Sequence, residues 1–594
     1  MMMSMRVHVW VLLLTLFSAW PSAFGADDEL ARQLPRIPPT SPADAPGTLQ
    51  VHRDFQARLV AHEPMVADPV SVCHDADGRL YVVEMRGYPF PEREPTGLVR
   101  LLVDENGDGT FDRGTDFLKG LNWPTGVLPY DGGVFICAAP DLIYAKDTDG
   151  DGEADVRRIV FTGFGTQNVQ QLLNGLAWGL DGWIYGAAAG NGGSITSPAR
   201  PDAAPVVIRG RDFRFKPDGS AFEAVSGGGQ FGHVFDDYGH LFVCNNRWHA
   251  RQIVLSARYL ANHPDLIVPG VIADIASDGN EARVYRISPP EPWRVVRSKQ
   301  YEEKMKADTV FARRLAPAER FPAGYFSSAS GLTLYRGHAF PPEYRNSLFV
   351  CDVAGNLVHR KTLAANGAIF RADRAEPGVE AEFLASRDIW FRPVNMANTP
   401  DGTLLVLDMY RETIEHPLSI PDDIKAHLDL TSGRERGRIW EMVPRAFQRG
   451  PRPRLSQAPT DELVGHLGNP EAWWRDTAQR LLLERRDPAA IEPLRAIART
   501  HASPFARLLA AWTLEDLGRL DNDLLLTLFT HSDPGIRENA ARLAEDRVER
   551  SEPLRRALLT LAQDPDARVR FQAALHGLCS RLQGDRRTRC DWQS

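Results

Sequence analysis

The sequence predicts an all-β six-bladed β-propeller followed by an all-α HEAT-like helical repeat domain. Three observations predict it. One hairpin pattern recurs six times between residues 51 and 444. Strand-like segments flank the repeats at both ends. Helical periodicity takes over after residue 458.

The six hairpins start at Pro69, Gly126, Gly175, Gly232, Gly331 and Val394, mostly about 50–60 residues apart. Each is an apolar run, a turn, and a second run rich in Leu, Val, Phe, Tyr or Ile, as in PVSVCHDADGRLYVVEM. Four turns contain Asp-Gly, a strong hairpin signal. The fourth copy has Asp237-Tyr238-Gly239 instead, and the fifth has a longer connection. Copies this far apart suit blades of four strands each. The wider gap between the fourth and fifth copies holds KQYEEKMKADTVFARR, an inserted loop or helix. FQARLVA (55–61) and GRIWEMV (437–443) are expected to pair in one blade, closing the ring so that no edge strand is left free.

PRAFQRGPRPRLSQAP forms a Pro- and Arg-rich linker. Beyond it Pro470, Pro504, Pro534 and Pro565 recur about every 30 residues, each near a helix start. Such spacing is that of stacked helical repeats, with an irregular bundle as the alternative. The expected division is a leader (1–25), an N-terminal linker (26–50), the propeller (51–444), a second linker (445–458), helical repeats (459–582) and a tail (583–594).

The leader reading rests on Arg6, the apolar VWVLLLTLFSAW, and small residues Ala23 and Gly25 before Ala26. It implies a periplasmic or secreted protein with no membrane span after cleavage. A net charge of -8 and a pI near 6.1 argue against nucleic acid as a partner. Six cysteines are too few for a disulfide scaffold; Cys579 and Cys590 flank a short polar segment and could pair. No CxxCH occurs, so the chain carries no haem site of its own. GxSxG, HExxH and P-loop patterns are likewise missing.

Two acidic loops, DENGDGTFD and DTDGDGEAD, share one nine-residue pattern and lie between strands. Asp104, Asn106, Asp108 and Asp112 in the first, and Asp147, Asp149, Asp151 and Asp155 in the second, offer hard oxygen ligands suited to Ca²⁺. Solvated Asp/Gly turns are the alternative.

Propeller ligands bind where the inner strands end around the central funnel. Candidate catalytic residues there are His249, Asp408, Tyr410 and Glu412. Candidate cofactor- or substrate-binding residues are Glu84, Arg86, Gln167, Asn168, Gln170, Gln171, Asn245, Asn246, Arg247, Asp352, Arg392, Asn395 and Arg411. Arginines, amides and carboxylates together suit a polyhydroxylated or anionic ligand.

The stretches ARLVAHEPMVADPV, DGDGEADVRRIVFTGFGTQNVQQLLNGLAWGLDGWIYGA, DGNEARVYRISPPEPWRVVR, GNLVHRK and DIWFRPVNMANTPDGTLLVLDMYRETIEHPLSIPDDIKAHLDLTSGRERGRIW carry a resemblance. Residues 55–443 resemble exported planctomycete and verrucomicrobial proteins described as membrane-bound dehydrogenases. These look like distant relatives of the glucose and sorbosone dehydrogenases that use pyrroloquinoline quinone (PQQ). Members often end in a cytochrome c domain; this chain does not contain one. The resemblance implies sugar or alcohol oxidation, PQQ as cofactor, and electron transfer to a separate cytochrome c. Arg247, Arg392 and Arg411 are then the expected partners of the PQQ carboxylates. Where those relatives place a basic His before the third hairpin, this chain has Gln170 and Gln171, and neutral amides are not general bases. Two alternatives therefore stand beside oxidation. One is a non-catalytic carbohydrate-binding scaffold whose helical repeats bind a protein partner. The other is a carbohydrate-cleaving propeller using His249 or Tyr410.

Overall fold

The computed structural model describes residues 24–91, 95–188, 190–261 and 267–579. Six antiparallel sheets stand around one axis as the blades of a propeller. Blade 1 shows why the repeats fold so. Pro69–His74 runs along the axis, and Leu80–Glu84, Gly97–Val103 and Arg113–Leu121 add outward in order. The turn after Pro69–His74 is tied by the Asp75 carboxylate, which accepts from Asp77 N and Arg79 N, both at 2.9 Å. Gly78 completes it at φ +81°, a backbone shape that side chains disfavour.

Blade 6 closes the ring as the repeat pattern predicts. Phe55–His62 pairs with Arg438–Pro444, in register from Phe55 against Pro444 to His62 against Arg438. The first and last strands of the propeller are thus neighbours in one sheet with Pro393–Asn398 and Leu404–Asp408. Blades 2 and 5 have extra outer strands. In blade 5, Leu49–Val51 from the N-terminal segment pairs with Leu384–Ser386.

The stretch expected as a linker (26–50) is therefore packed. Besides that strand it contains helix Phe24–Gln33, and the Ile37 carbonyl accepts from Trp390 Nε1 at 2.9 Å. The charged insertion is helical, with helices Pro292–Ala307, Thr309–Arg314 and Pro317–Arg320. Its buried face is Trp293, Arg294, Val296 and Arg297.

After residue 458 the chain is helical. Ala472–Arg485, Pro504–Asp516, Pro534–Ala544 and Ala567–Cys579 pack side by side as an inner row, and the helices between them form an outer row. Pro504 and Pro534 stand at helix starts next to caps Ser503 and Asp533, whose side chains accept from Ala506 N, and from Gly535 N and Ile536 N. The inner row lies across the turns between first and second strands, at the base of the propeller. Trp474 Nε1 donates to the Pro400 carbonyl (2.9 Å), Tyr238 Oη to Asp533 (2.8 Å) and Asn539 Nδ2 to the Tyr238 carbonyl (3.0 Å). Arg336 joins Asp237 to Asp476, and Arg475 adds a second cation to Asp237.

Among the described residues no helix is long and apolar enough to cross a membrane. Cys73, Cys137, Cys244 and Cys351 are free thiols. Residues 1–23, the tail 583–594 and Cys590, with its expected pairing to Cys579, lie outside the described residues.

Candidate functional site

The first strand of each blade edges a central cavity of about 310 Å³. Neighbouring first strands approach so closely that a Cβ on Gly175 would meet Gly232 O at 1.2 Å, and one on Gly331 would meet Asn395 Cα at 2.4 Å. Both glycines also have positive φ, +62° and +50°. No other residue fits there, and the tight wall keeps the cavity narrow. Its sides are mostly apolar, from Val70, Val127, Leu176, Leu332, Val394 and Met409.

The mouth lies where second strands end, opposite the helical domain. There the lining turns polar. Gln170 Nε2 donates to Tyr88 Oη at 2.8 Å. Gln230 Nε2 donates to the Gln170 carbonyl, and Asn174 Nδ2 to the Gln230 carbonyl, both at 2.9 Å. Asn395 Nδ2 donates to the Val70 carbonyl at 3.1 Å. The Asn246 side chain also lines the cavity, with no hydrogen bond to the described residues. Buried Ser330 Oγ has no partner among them. Glu415 is the one carboxylate in the lining, and Arg294 Nη2 reaches it at 3.2 Å. His233 is the one imidazole, and its Nε2 lies 3.0 Å from buried Asp212.

Of the residues expected from sequence, Gln170, Asn246 and Asn395 come together here. The four candidate catalytic residues lie outside the lining. His249 is buried, stacked on Phe326 with ring centroids 4.3 Å apart. Its Nε2 is 3.6 Å from Asp278, too far for a hydrogen bond, and burial lowers its pKa to about 4. Asp408 accepts from Arg392 N at 2.7 Å and Tyr410 N at 3.0 Å, and burial raises its pKa to about 7. Tyr410 Oη donates to Asp388 at 2.7 Å, and Glu412 holds Arg36 at 2.8 Å. These three pin turns and the N-terminal segment in place.

The expected arginines are engaged. Arg411 makes a two-point pair with Asp68, 2.6 Å at each nitrogen, and both are fully buried. Arg392 pairs with Glu291 at 2.7 Å, and Arg247 with Glu319 at 2.7 Å. Arg86 and Arg100 share buried Glu84. Asp352 is buried, with Oδ2 unpartnered, and burial raises its pKa to about 6. Asn168 Oδ1 accepts from Gln170 N, and Asn245 Oδ1 from Gln230 N. Gln167 is exposed, and Gln171 packs beside Gly190. Tyr88, Ser330 and Glu415 line the cavity, and Gln230 braces Gln170 and Asn174 behind it, although no sequence pattern singles them out.

PQQ carries carboxylates and would need free cations at this mouth. Arg86, Arg247, Arg294, Arg392 and Arg411 are each matched to a carboxylate, and Arg286 is spent on oxygens of Ser288, Pro289 and Ala354. The donor set fits an uncharged ligand and does not fit the quinone.

The acidic loops form the third-to-fourth strand turns of blades 1 and 2, on the helical-domain side. In both, the first Asp takes two glycine amides: Asp104 from Gly107 and Gly109, Asp147 from Gly150 and Gly152. Carboxylate oxygens of Asp147, Asp149 and Asp151 lie within 4.8 Å of one another. Arg452 Nη1 donates to the Asp104 carbonyl at 3.0 Å. The loops are therefore remote from the mouth.

A family model described as a domain of unknown function matches residues 41–446. Comparison with curated proteins finds no match. Solved structures similar to this chain include the apo soluble aldose sugar dehydrogenase of Escherichia coli: 13% identity, TM-score 0.35, 66% of this chain and 100% of that one covered. The PQQ-bound aldose sugar dehydrogenase of Streptomyces coelicolor has 15% identity and a TM-score of 0.32, covering 66% and 99%. The holo PQQ domain of Coprinopsis cinerea pyranose dehydrogenase has 11% identity and a TM-score of 0.35, covering 69% and 98%.

Proposed function

Because this chain belongs to the DUF7133 family, a domain of unknown function, over residues 41–446, we propose from its own geometry that the propeller binds a carbohydrate-like, polyhydroxylated molecule. The ligand enters at the mouth of the central cavity. The observation that carries this reading is the lining itself. Amides and hydroxyls of Gln170, Asn174, Asn246, Asn395 and Ser330 ring an apolar shaft, with one carboxylate, Glu415. Amides both donate and accept, as vicinal hydroxyls do, while apolar walls suit the C–H faces of a sugar. Asn246 and Ser330 carry unused hydrogen-bonding capacity for it.

Ca²⁺ in the two acidic loops acts on this reading as a structural ion at the far rim, and the leader directs the chain out of the cytoplasm. Quinone-dependent oxidation finds no support at the mouth, since the arginines that would hold the cofactor are paired within the protein. A bond-changing step there has two candidate groups among the described residues, the Glu415 carboxylate and the His233 imidazole, whose Nε2 is held by Asp212 and whose Nδ1 has no partner.

Calorimetric titration with mono- and oligosaccharides tests the proposal. A saturable heat is expected, weakened about tenfold by Asn246→Ala with an unchanged melting temperature. No binding of any saccharide at about 10 mM, or an Asn246→Ala protein that binds as the parent does, overturns it. Glu415→Gln then separates the classes: retained binding with lost turnover marks an enzyme, and no turnover in either protein marks a binding module.

A further inference from the structure

The central cavity continues downward as a second chamber of about 290 Å³, which ends on helix Ala472–Arg485. The lining residues advance along the first strands from one space to the next. Residues 70–73 border the upper cavity and 72–74 the lower chamber. Likewise 174–176 gives way to 177–180, 231–234 to 235–236, and 394–396 to 397–398. Val72, Cys73 and Leu128 border both spaces. Cavity and chamber are therefore one axial shaft. Strand Asn174–Trp178 alone spans about 13 Å of it, at ~3.3 Å per residue.

The wall of this shaft is apolar and incompletely covered. Val70, Val72, Leu128, Leu176, Val234 and Phe235 stand on the innermost strands, yet each keeps part of its surface exposed beside the shaft. Polar groups concentrate at the two ends. Gln170, Asn246 and Glu415 stand at the mouth, and Gln479 and Arg480 at the floor, where Trp473 and Leu483 join them. A sugar seated at the mouth leaves the apolar barrel below it unfilled. Covering that barrel with an apolar group is favourable, because it removes hydrocarbon surface from water.

We propose that the ligand of the mouth is an amphiphile, an uncharged polyhydroxylated head on a single alkyl tail, with the tail running down the shaft toward helix Ala472–Arg485. This rests on the reading of the mouth as a site for a polyhydroxylated molecule and adds the part of the ligand that the mouth does not reach. The close approach of strands at Gly175 and Gly331 keeps the shaft narrow, which suits one chain. An alkyl tail needs no counter-charge. The pairing of Arg480 with Glu484, and of Arg336 with Asp237 and Asp476, therefore does not oppose it. Each methylene that enters the shaft strengthens binding by about two- to fourfold.

The test is calorimetric titration of the full chain with methyl, butyl and octyl glucosides below their micelle concentrations, with octanol as the headless control. Octyl glucoside should bind at least about a hundredfold tighter than methyl glucoside, with a more negative heat-capacity change. Ala177→Leu and Ala397→Leu each add bulk beside the lower shaft and away from the mouth. Methyl glucoside should bind both variants as it binds the parent, while the octyl advantage falls at least about tenfold. The readout is the octyl-to-methyl ratio within one protein, with the melting temperature of each free variant confirming that it folds. Asn246→Ala should weaken methyl and octyl glucosides by the same factor, because it meets only the head. Equal affinities for the two glucosides, or an unchanged ratio in both leucine variants, overturn the tail and leave the mouth reading standing. Octanol binding as tightly as octyl glucoside overturns both, since the head then contributes nothing. If octyl glucoside fails to bind at about 10 mM the tail is overturned, and the saccharide titration decides the mouth on its own.

Discussion

Arg411 shows how a side chain that looks functional in sequence becomes structural in the fold. It follows a blade strand in a stretch rich in polar residues, as ligand-binding arginines do. Its partner Asp68 is 343 residues away, so no local pattern could reveal the pair. The same holds for Arg392 and Glu291, 101 residues apart. Ring closure brings the first pair together, and packing of the inserted helix Pro292–Ala307 brings the second. Arg411→Met leaves the Asp68 charge buried without a counterion and is expected to cost about 3–5 kcal/mol, read as a lower urea midpoint. Glu291 yields a pH prediction. Burial alone would raise its pKa, yet Arg392, Arg294 and Arg286 hold it at about 2. A depressed carboxylate stabilises the fold above its unfolded value, near 4.3, and that contribution is lost as pH falls through 2. Melting temperature should therefore drop between about pH 4.5 and 2, and less steeply in Glu291→Gln.

At the scale of elements, the hairpins were the most legible feature. Their Asp-Gly turns impose one backbone shape, and the strands alternate around it. Helix starts were legible for the same reason, since proline fixes the first turn at Pro504 and Pro534. The charged insertion gave a weaker signal. Its helices bury a face of Trp293 and Val296 beside two arginines, which blurs the apolar period. The mouth was only partly legible, because Tyr88, Gln230 and Glu415 come from separate connections that meet only in the ring. The acidic loops carry their own prediction. Ca²⁺ should raise the melting temperature by an amount set by its affinity, and Asp149→Asn with Asp151→Asn should remove the share due to the second loop. A calcium titration in which the double variant matches the parent would leave the second loop as a plain turn.

At the scale of the whole molecule, the helical row and the propeller share one buried seam. His240 sits in it, 2.7 Å from Asp236 on its own blade and 3.1 Å from Glu538 on helix Pro534–Ala544. Arg542 pairs with the same Glu538, and Phe370 packs edge-on against the imidazole. Burial lowers the His240 pKa, but the two carboxylates outweigh it and bring it to about 9. A raised histidine stabilises below its unfolded pKa near 6.5 and ceases to do so as pH rises through 9. The seam should weaken between about pH 7 and 10, splitting one calorimetric transition into two, while His240→Gln should show the split already at pH 7. The seam was not legible in sequence, since each half of it reads as a solvated turn or a polar helix face.

The pairing of Phe55–His62 with Arg438–Pro444 also sets an order of events during synthesis. The strand made first waits for the strand made last. Until Arg438–Pro444 has left the ribosome, Phe55–His62 has no strand partner, and it has none in any product of premature termination upstream. A nonsense mutation in the last two blades therefore yields a chain with most of its propeller core and an adhesive flank, prone to join another such chain.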